Sequence, residues 1–251
     1  MKKNVHIQMT DTVTRQFEEQ VDMYSQHEVD VDSQILPFLK KKLAVFKKSQ
    51  STITICEFGG GGGDLLNSVK KQSKRKLSLV NAELVGEYVK HQAIKQIKFV
   101  RKSILDSGYK DNSFDIVMVR NVIHHLVNTS LPKTRENQRH AINELIRVTR
   151  PGGLILIDEQ VNYSAISCTL FFGLSWLATK MHLSIPAFEI TPNTVVGYLT
   201  REELQQFCRK ALPKKYWLRD AFVRWPPSLQ WQLTGLMENT GSAFIAMQKP
   251  R

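Results

Sequence analysis

The feature that most constrains this chain is a run of five glycines, Gly59 to Gly63, entered from Thr52-Ile-Thr-Ile-Cys-Glu-Phe58 and left through Asp64-Leu-Leu-Asn-Ser-Val69. Ile53 and Ile55 alternate with Thr52, Thr54 and Cys56 as a strand requires, and Leu65, Leu66 and Val69 recur at helical spacing. Residues without a Cβ permit positive φ in a tight strand-to-helix turn, and they let the backbone approach a ligand closely. Glu57, two residues before the first glycine, adds a carboxylate at the end of the strand.

The glycine spacing excludes some uses of such a loop. No Gly-Lys-Ser/Thr follows, so the lysine and hydroxyl that a nucleoside-triphosphate loop needs are missing. Gly59 and Gly61 supply the first two positions of a dinucleotide Gly-x-Gly-x-x-Gly pattern, but the third falls on Asp64, whose charge opposes a pyrophosphate at the helix entrance. A flexible linker would explain the run by composition alone. The strand and helix signals on either side argue against it. Gly60 and Gly62 occupy positions that other residues can fill, so mobility is the use left for them.

At 251 residues and 42% hydrophobic content, the chain suits one large domain, or one domain with a decoration. Its three cysteines (Cys56, Cys168, Cys208) fit neither a disulfide framework nor a zinc site; they agree with a reducing, cytoplasmic setting and predict no metal. The N-terminal Met-Lys-Lys-Asn-Val-His lacks the apolar run of a signal peptide. A formal charge of +12, with basic stretches over residues 40–48, 70–76 and 95–102, admits nucleic acid or an anionic membrane surface as partner. Solvated helix faces account for it equally. Residues 163–179 are uncharged and hold Leu170, Phe171, Phe172, Leu174, Trp176 and Leu177. Too short and too serine-rich to span a bilayer, this segment reads as a buried helix or pocket wall, with peripheral membrane contact or a lipid-like substrate as the alternative.

Strand and helix patterns alternate along the rest of the chain. Residues 11–27 read as an amphipathic helix, and Asp32 or Ser33 caps a second one carrying Ile35, Leu36, Leu39, Leu43 and Phe46. Strands are predicted at residues 77–80, 97–100 and 114–119, with a helix over 84–96 between the first two. A helix over 134–149 is stopped by Arg150-Pro-Gly-Gly153, and a strand begins at Leu154. Thr200-Arg-Glu-Glu203 is a capping box opening a helix through Leu212. Residues 217–223 and 243–247 read as paired strands. This alternation predicts a mostly parallel sheet covered on both faces, with its ligand at the carboxyl ends of the strands beside the glycine turn.

Five segments in order resemble the class I S-adenosylmethionine-dependent methyltransferases, with similarity to small-molecule members such as ubiquinone and menaquinone methyltransferases. They are Glu57-Phe-Gly-Gly-Gly-Gly-Gly63, an acid after the second strand, Asn112-Ser-Phe-Asp-Ile-Val117, Arg120-Asn-Val-Ile-His-His-Leu126 and Arg147-Val-Thr-Arg-Pro-Gly-Gly-Leu154. The match covers residues 50–160 well and the C-terminal strands more loosely. It implies a Rossmann-like, seven-stranded, mostly parallel α/β sheet with helices on both faces. Residues 1–50 would be an N-terminal helical lid, and residues 51–251 the methyltransferase domain, with a substrate-cap insertion at about 162–199.

In that frame S-adenosyl-L-methionine would lie on Gly59, Gly60 and Gly61, with Glu57 near its amino end and Arg120 and Asn121 also at the cofactor. The ribose would be held by Glu83, or by Asn81 where a shorter loop would place the acid. Ser103 stands where the family often has Asp to read the adenine amino group; Ile104 would pack on the ring, and Asp106 could substitute if the loop shifts. Tyr24 resembles the lid tyrosine of relatives, and fits a core tyrosine equally well. Displacement at a sulfonium needs a base only if the acceptor carries a proton. His124 and His125 are the available bases, with His125 nearer the cofactor and His124 nearer solvent.

Phe171, Phe172, Trp176 and Phe188 would make an apolar, aromatic substrate wall, so the expected acceptor is a hydrophobic small molecule that is quinone-, polyketide- or lipid-like. An RNA methyltransferase is the alternative that the charge suggests. Against it, Arg120-Asn-Val-Ile123 stands where amino-methylating enzymes usually carry Asn/Asp-Pro-Pro-aromatic, so nucleic acid is disfavoured. A non-catalytic cofactor-binding protein on the same fold is the third reading.

Overall fold

The strands of this chain are apolar on both faces, which only a sheet covered on both sides accommodates. The computed structural model describes residues 18, 21, 34–45, 52–92, 94–162, 164–185, 190, 195–225 and 240–251. Five strands run parallel: β1 (Ile53–Phe58), β2 (Leu77–Glu83), β3 (Ile97–Arg101), β4 (Phe114–Arg120) and β5 (Thr149–Asn162). A two-residue β6 (Leu199–Thr200) pairs with the end of β5. The last strands, β7 (Trp217–Arg224) and β8 (Thr240–Gln248), are antiparallel to each other, and β8 lies antiparallel against β5. The order is β3-β2-β1-β4-β5-β8-β7 with β6 to the side, so the expected seven-stranded sheet gains only that short bridge. Strand order reverses between β1 and β4, which opens a crevice at their carboxyl ends.

The period-2 alternation divides the core into two layers. Ile53, Ile55, Ile116, Met118, Leu154, Leu156 and Phe244 face α1 (Ile35–Val45) and α2 (Asp64–Gln72). Cys56, Phe58, Val117, Val119, Ile155, Ile157 and Ile245 face α3 (Leu131–Val148) and α5 (Arg201–Ala211). Within the stretch expected as a lid, α1 therefore belongs to the core: Ile35 and Leu39 are buried against β1 and β8. Of residues 11–27 only Glu18 and Val21 are described, both helical, with Val21 packed on Val85 and Tyr88. Asp32, Ser33 and Phe46 lie outside the described residues.

Two of the motif segments hold each other. The buried Asp115 carboxylate accepts from the Thr54 amide at 2.8 Å, from the Thr54 hydroxyl at 2.7 Å and from Arg150 at 3.0 Å, which joins β1, β4 and β5 at their amino ends. The helix expected to stop before Arg150-Pro-Gly-Gly ends at Val148, but the strand expected from Leu154 begins earlier. β5 starts at Thr149 and runs through that motif, Gly152 taking φ 77° while the pairing with β4 shifts register between Phe114 and Ile116, so a bulge absorbs the extra residues. The helix expected over 84–96 is instead a six-residue 3₁₀ turn, Gly86–His91. β2 continues to Glu83, whose carboxylate accepts from the Val85 amide at 2.9 Å while Val85 stays extended, so too few residues remain before β3 for an α-helix.

The uncharged segment forms α4 (Ala165–Met181), capped by Ser164, whose hydroxyl accepts from the Ser167 amide at 3.2 Å. Its inner face buries Cys168, Phe171, Phe172, Ser175 and Ala178, while Ile166, Leu170, Leu177 and Met181 stand exposed on the outer face. Among the described residues no helix is long and apolar enough to cross a membrane. α5 opens with the capping box read from the sequence: Glu203 donates its amide to the Thr200 hydroxyl at 3.0 Å, and its carboxylate accepts the Thr200 amide at 2.8 Å.

Candidate functional site

A cleft enclosing about 870 Å³, open mouth included, lies at the carboxyl ends of β1, β2 and β4. Its floor is the glycine loop, and the loop is fully specified. Gly59, Gly61 and Gly63 take φ of 68°, 52° and 83°, where a side chain is strained. Gly60 and Gly62 have ordinary φ but no room. A Cβ on Gly60 would sit 2.7 Å from Asn81 Oδ1 and 2.8 Å from Glu57 Oε2, and one on Gly62 would sit 2.8 Å from the His91 carbonyl oxygen. Mobility is therefore not needed to explain the extra glycines: the odd positions are required by conformation and the even ones by space.

Acids and amides hold this loop from below. Glu83 lines the cleft, and its two carboxylate oxygens accept from the Gly61 and Val85 amides, each at 2.9 Å. A carboxylate oxygen has a second lone pair, so both remain able to accept from a ligand. Asn81, the other ribose candidate, is fully buried beneath the loop and does not line the cleft; its amide donates to the Gly61 carbonyl at 2.7 Å. Burial pushes the Glu57 carboxyl up to about 7, against the pull of the Arg120 guanidinium and with help from Glu83 and Asp64. Glu57 Oε2 and Arg120 Nη1 are buried with no hydrogen-bond partner among the described residues. Burial also raises Glu83 above the ordinary carboxylate value, countered by its backbone donors.

The wall over β2 and β3 is formed by Lys102, Ser103, Ile104 and Leu105. The Ser103 hydroxyl accepts from the Leu105 amide at 3.1 Å, which leaves its own proton to donate. Ile104 is buried to 5%. Asp106 is exposed and turned away from the cleft, because its amide bonds the Ser103 carbonyl and closes a tight turn.

The opposite wall is the 3₁₀ turn Ile123–His125 with Asn121, Val122, Leu126 and Val127. Asn121 lines the cleft at φ 51°, its amide bonded to the Asp158 carbonyl at 2.9 Å. His125 also lines it; burial first, and the neighbouring His124 second, hold its imidazole well below the ordinary value, so it is neutral near pH 7. The assignment of His124 to solvent is corrected. Only 5% of it is exposed, and Nδ1 lies 2.5 Å from a Glu159 carboxylate that also accepts from the Ile123 amide at 2.7 Å and the Val122 amide at 3.2 Å. A buried acid at the end of β5 draws the turn inward, with Tyr198 stacked on the His124 ring at 5.1 Å.

Tyr24 and Phe188 lie outside the described residues. Phe171, Phe172 and Trp176 do not line the cleft: Phe171 packs with Ala178, Ile190 and Val196, and the other two pack with Val127 and Val195. The apolar lining comes instead from Leu84, Val85, Tyr88, Leu105, Val122, Leu126 and Val127. Of these, Leu126 was visible within a motif, whereas Tyr88 and Leu105 carried no signal distinguishing them from core residues. Glu159 was likewise readable only as an acid at a strand end. Among the described residues no group of three His, Cys, Asp or Glu side chains is placed to hold a metal ion.

Residues 56–157 match the family described as "Methyltransferase domain". A stretch of 95 residues is 30% identical to the hybrid PKS-NRPS synthetase iccA of Talaromyces variabilis, which covers 37% of this chain and 2% of that far longer protein. Among solved structures, the [4+2]-cyclase SpnF is similar with a TM-score of 0.56 at 15% identity, covering 89% of this chain and 85% of that one. Phosphoethanolamine N-methyltransferase 2 of Haemonchus contortus, solved with phosphomonomethylethanolamine and S-adenosylhomocysteine, gives 0.53 at 14%, covering 86% of this chain and 53% of that one. The CurJ carbon methyltransferase gives 0.54 at 14%, with the same coverages of 86% and 53%. At such identities the structural likeness is one of fold.

Proposed function

We propose that this chain is a class I S-adenosylmethionine-dependent methyltransferase, as the methyltransferase-domain match over residues 56–157 supports, and that it methylates a hydrophobic small molecule, quinone-, polyketide- or lipid-like, in the cleft between the glycine loop and the turn at His125. The observation that carries the reading is the apolar lining of Leu105, Val122, Leu126 and Val127 around one polar stripe, the glycine loop with Glu83 and His125. The residues suit the cofactor. Gly61 leaves space that a side chain would fill, Glu83 keeps lone pairs for the two ribose hydroxyls, and Glu57 Oε2 is a buried acceptor with no partner among the described residues.

S-adenosylmethionine supplies an electrophilic methyl group on sulfur. In our reading the chain contributes position and dryness, which together account for large effective molarities, ~10⁵ M or more. Glu57 and Arg120 hold the ammonium and carboxylate of the methionyl end. Ser103 donates to the adenine edge while Ile104 covers the ring face, and Asn121 offers its side-chain carboxamide oxygen at the sulfonium side. Neutral His125 accepts a proton if the acceptor bears one, and His124, fixed by Glu159, sets the height of that ring. Residues before Gln34, Tyr24 included, act as the lid, and residues 162–199 as the substrate cap. In addition, the exposed outer face of α4 supports peripheral contact with a membrane that holds such acceptors.

Saturating S-adenosylhomocysteine at ~100 times its dissociation constant should stabilise the fold by ~2.7 kcal/mol, a shift on the order of 5–10 °C. Glu83→Ala and Gly61→Val should abolish most of it. Acceptor panels with labelled cofactor then test the substrate class: methyl transfer confined to tRNA or rRNA would refute it, and cofactor binding without transfer to any acceptor would favour a non-catalytic role.

A further inference from the structure

On the face of the sheet covered by α1 and α2, at the amino ends of the strands, α1 packs on α2 and on the loop into β2, and a groove runs between them. Leu36, Leu43 and Val69 form its floor, and Lys40, Lys74 and Arg75 its rim. The two segments that build it, residues 34–45 and 65–78, contain no aspartate or glutamate, yet they carry the run Lys40 to Lys42 and the basic stretch from Lys70 to Lys76. Lys40, Lys74 and Arg75 thus give the groove a rim of one sign.

We infer that this groove docks an acidic segment of another protein, a helix or extended strand that seats an apolar side chain between carboxylates. Three features select that occupant. The charge is uniformly positive, so the partner is anionic. The floor is aliphatic and recessed, so the partner brings a protruding apolar group; a lipid surface is flat and would touch the rim alone. No aromatic ring lines the groove among the described residues, so the stacking platform that single-stranded RNA uses is missing. Helix-in-groove recognition needs this pairing of apolar anchor and flanking charge. The inference is independent of the methyl acceptor, because groove and cleft lie at opposite ends of the strands.

The probe is a fluorescein-labelled amphipathic peptide of about 15 residues, Leu on one face and Glu on the other, with anisotropy as readout. The expected result is saturable binding that weakens about tenfold or more in the Lys74→Glu/Arg75→Glu double variant, and weakens also in Leu36→Ser, which leaves every charge in place. Raising salt should weaken it too, since the screening length falls to ~3 Å at 1 M. An unchanged shift of thermal stability with S-adenosylhomocysteine shows that each variant is folded. Equal peptide affinity in wild type and double variant overturns the inference. So does a loss confined to charge reversal with Leu36→Ser unaffected, which would mark a nonspecific polyelectrolyte surface. Preferential capture of oligouridylate or phosphatidylserine vesicles through the same residues also overturns it, in favour of those ligands.

Discussion

At Glu57, burial favours the protonated carboxyl strongly enough to hold its pKa near about 7, whereas the unfolded chain ionises it near 4.5. Below the lower value both states are protonated and folding is not penalised. Between the two values the unfolded chain releases its proton first, so stability falls as pH rises, by up to ~1.4 kcal/mol per pH unit, and the penalty is complete above the folded value. Urea unfolding of ligand-free protein at pH 5 and pH 8 should show this decline, and Glu57→Gln should flatten it. A ligand ammonium reverses the preference, so the affinity for S-adenosylhomocysteine measured by calorimetry should rise through pH 7 in wild type and level off in Glu57→Gln. The glycines make a second residue-scale comparison. Gly61→Ala imposes a left-handed φ of 52° on alanine but leaves 3.6 Å to the Tyr88 ring, whereas Gly62→Ala meets a backbone carbonyl at 2.8 Å that cannot rotate away. Chemical denaturation should find about 1 kcal/mol lost in the first and about 1–3 kcal/mol in the second. The sequence made positive φ readable in this loop, but not the crowding, because Asn81 and His91 reach it from residues far along the chain.

Elements follow their local signals where the partner is also local. Thr200 and Glu203 cap α5 within one turn of chain, and β1 and α2 announce themselves by period alone. The signals fail where a distant group decides. Residues 84–96 have helical periodicity, yet Glu83 is committed to the glycine loop and its hold on Val85 leaves room only for a 3₁₀ turn. The turn at Ile123–His125 is shaped by Glu159, from the far end of β5. Glu159→Gln keeps the volume but removes the charge from this clamp, and methyl transfer should fall at least tenfold in kcat while the folded secondary structure, read by circular dichroism, is retained. α4 offers a test of its two faces. Phe171→Ala should cost about 3–5 kcal/mol of stability, whereas Leu170→Ser and Leu177→Ser, on the exposed side, should stay within about 0.5 kcal/mol in thermal unfolding.

Over the whole molecule the mostly parallel sheet and the position of the cleft beside the glycine turn were legible from alternating strands and helices, whereas the strand order came from the structure. The composition of the cleft wall was not. Aromatic residues of α4 were the obvious candidates by type, but they satisfy two separate apolar clusters, and Tyr88 with smaller aliphatic residues of the β2, β3 and β4 loops lines the cleft instead. The fully specified glycine loop has a further consequence, for the order in which the protein assembles. Each glycine adds freedom to the unfolded chain, so the loop has no shape of its own until its neighbours arrive. Apart from Glu57 and Asp64 beside the loop, those neighbours are Asn81, Tyr88, His91, Ile97 and Val122, all later in the chain. Growing from its N-terminus, the chain cannot set the loop before Val122 has emerged and β4 has docked. In pulsed hydrogen exchange during refolding, the Gly61 amide should therefore gain protection after those of β1 and β4. The segment that comes first among the recognisable motifs would be among the last to become structure.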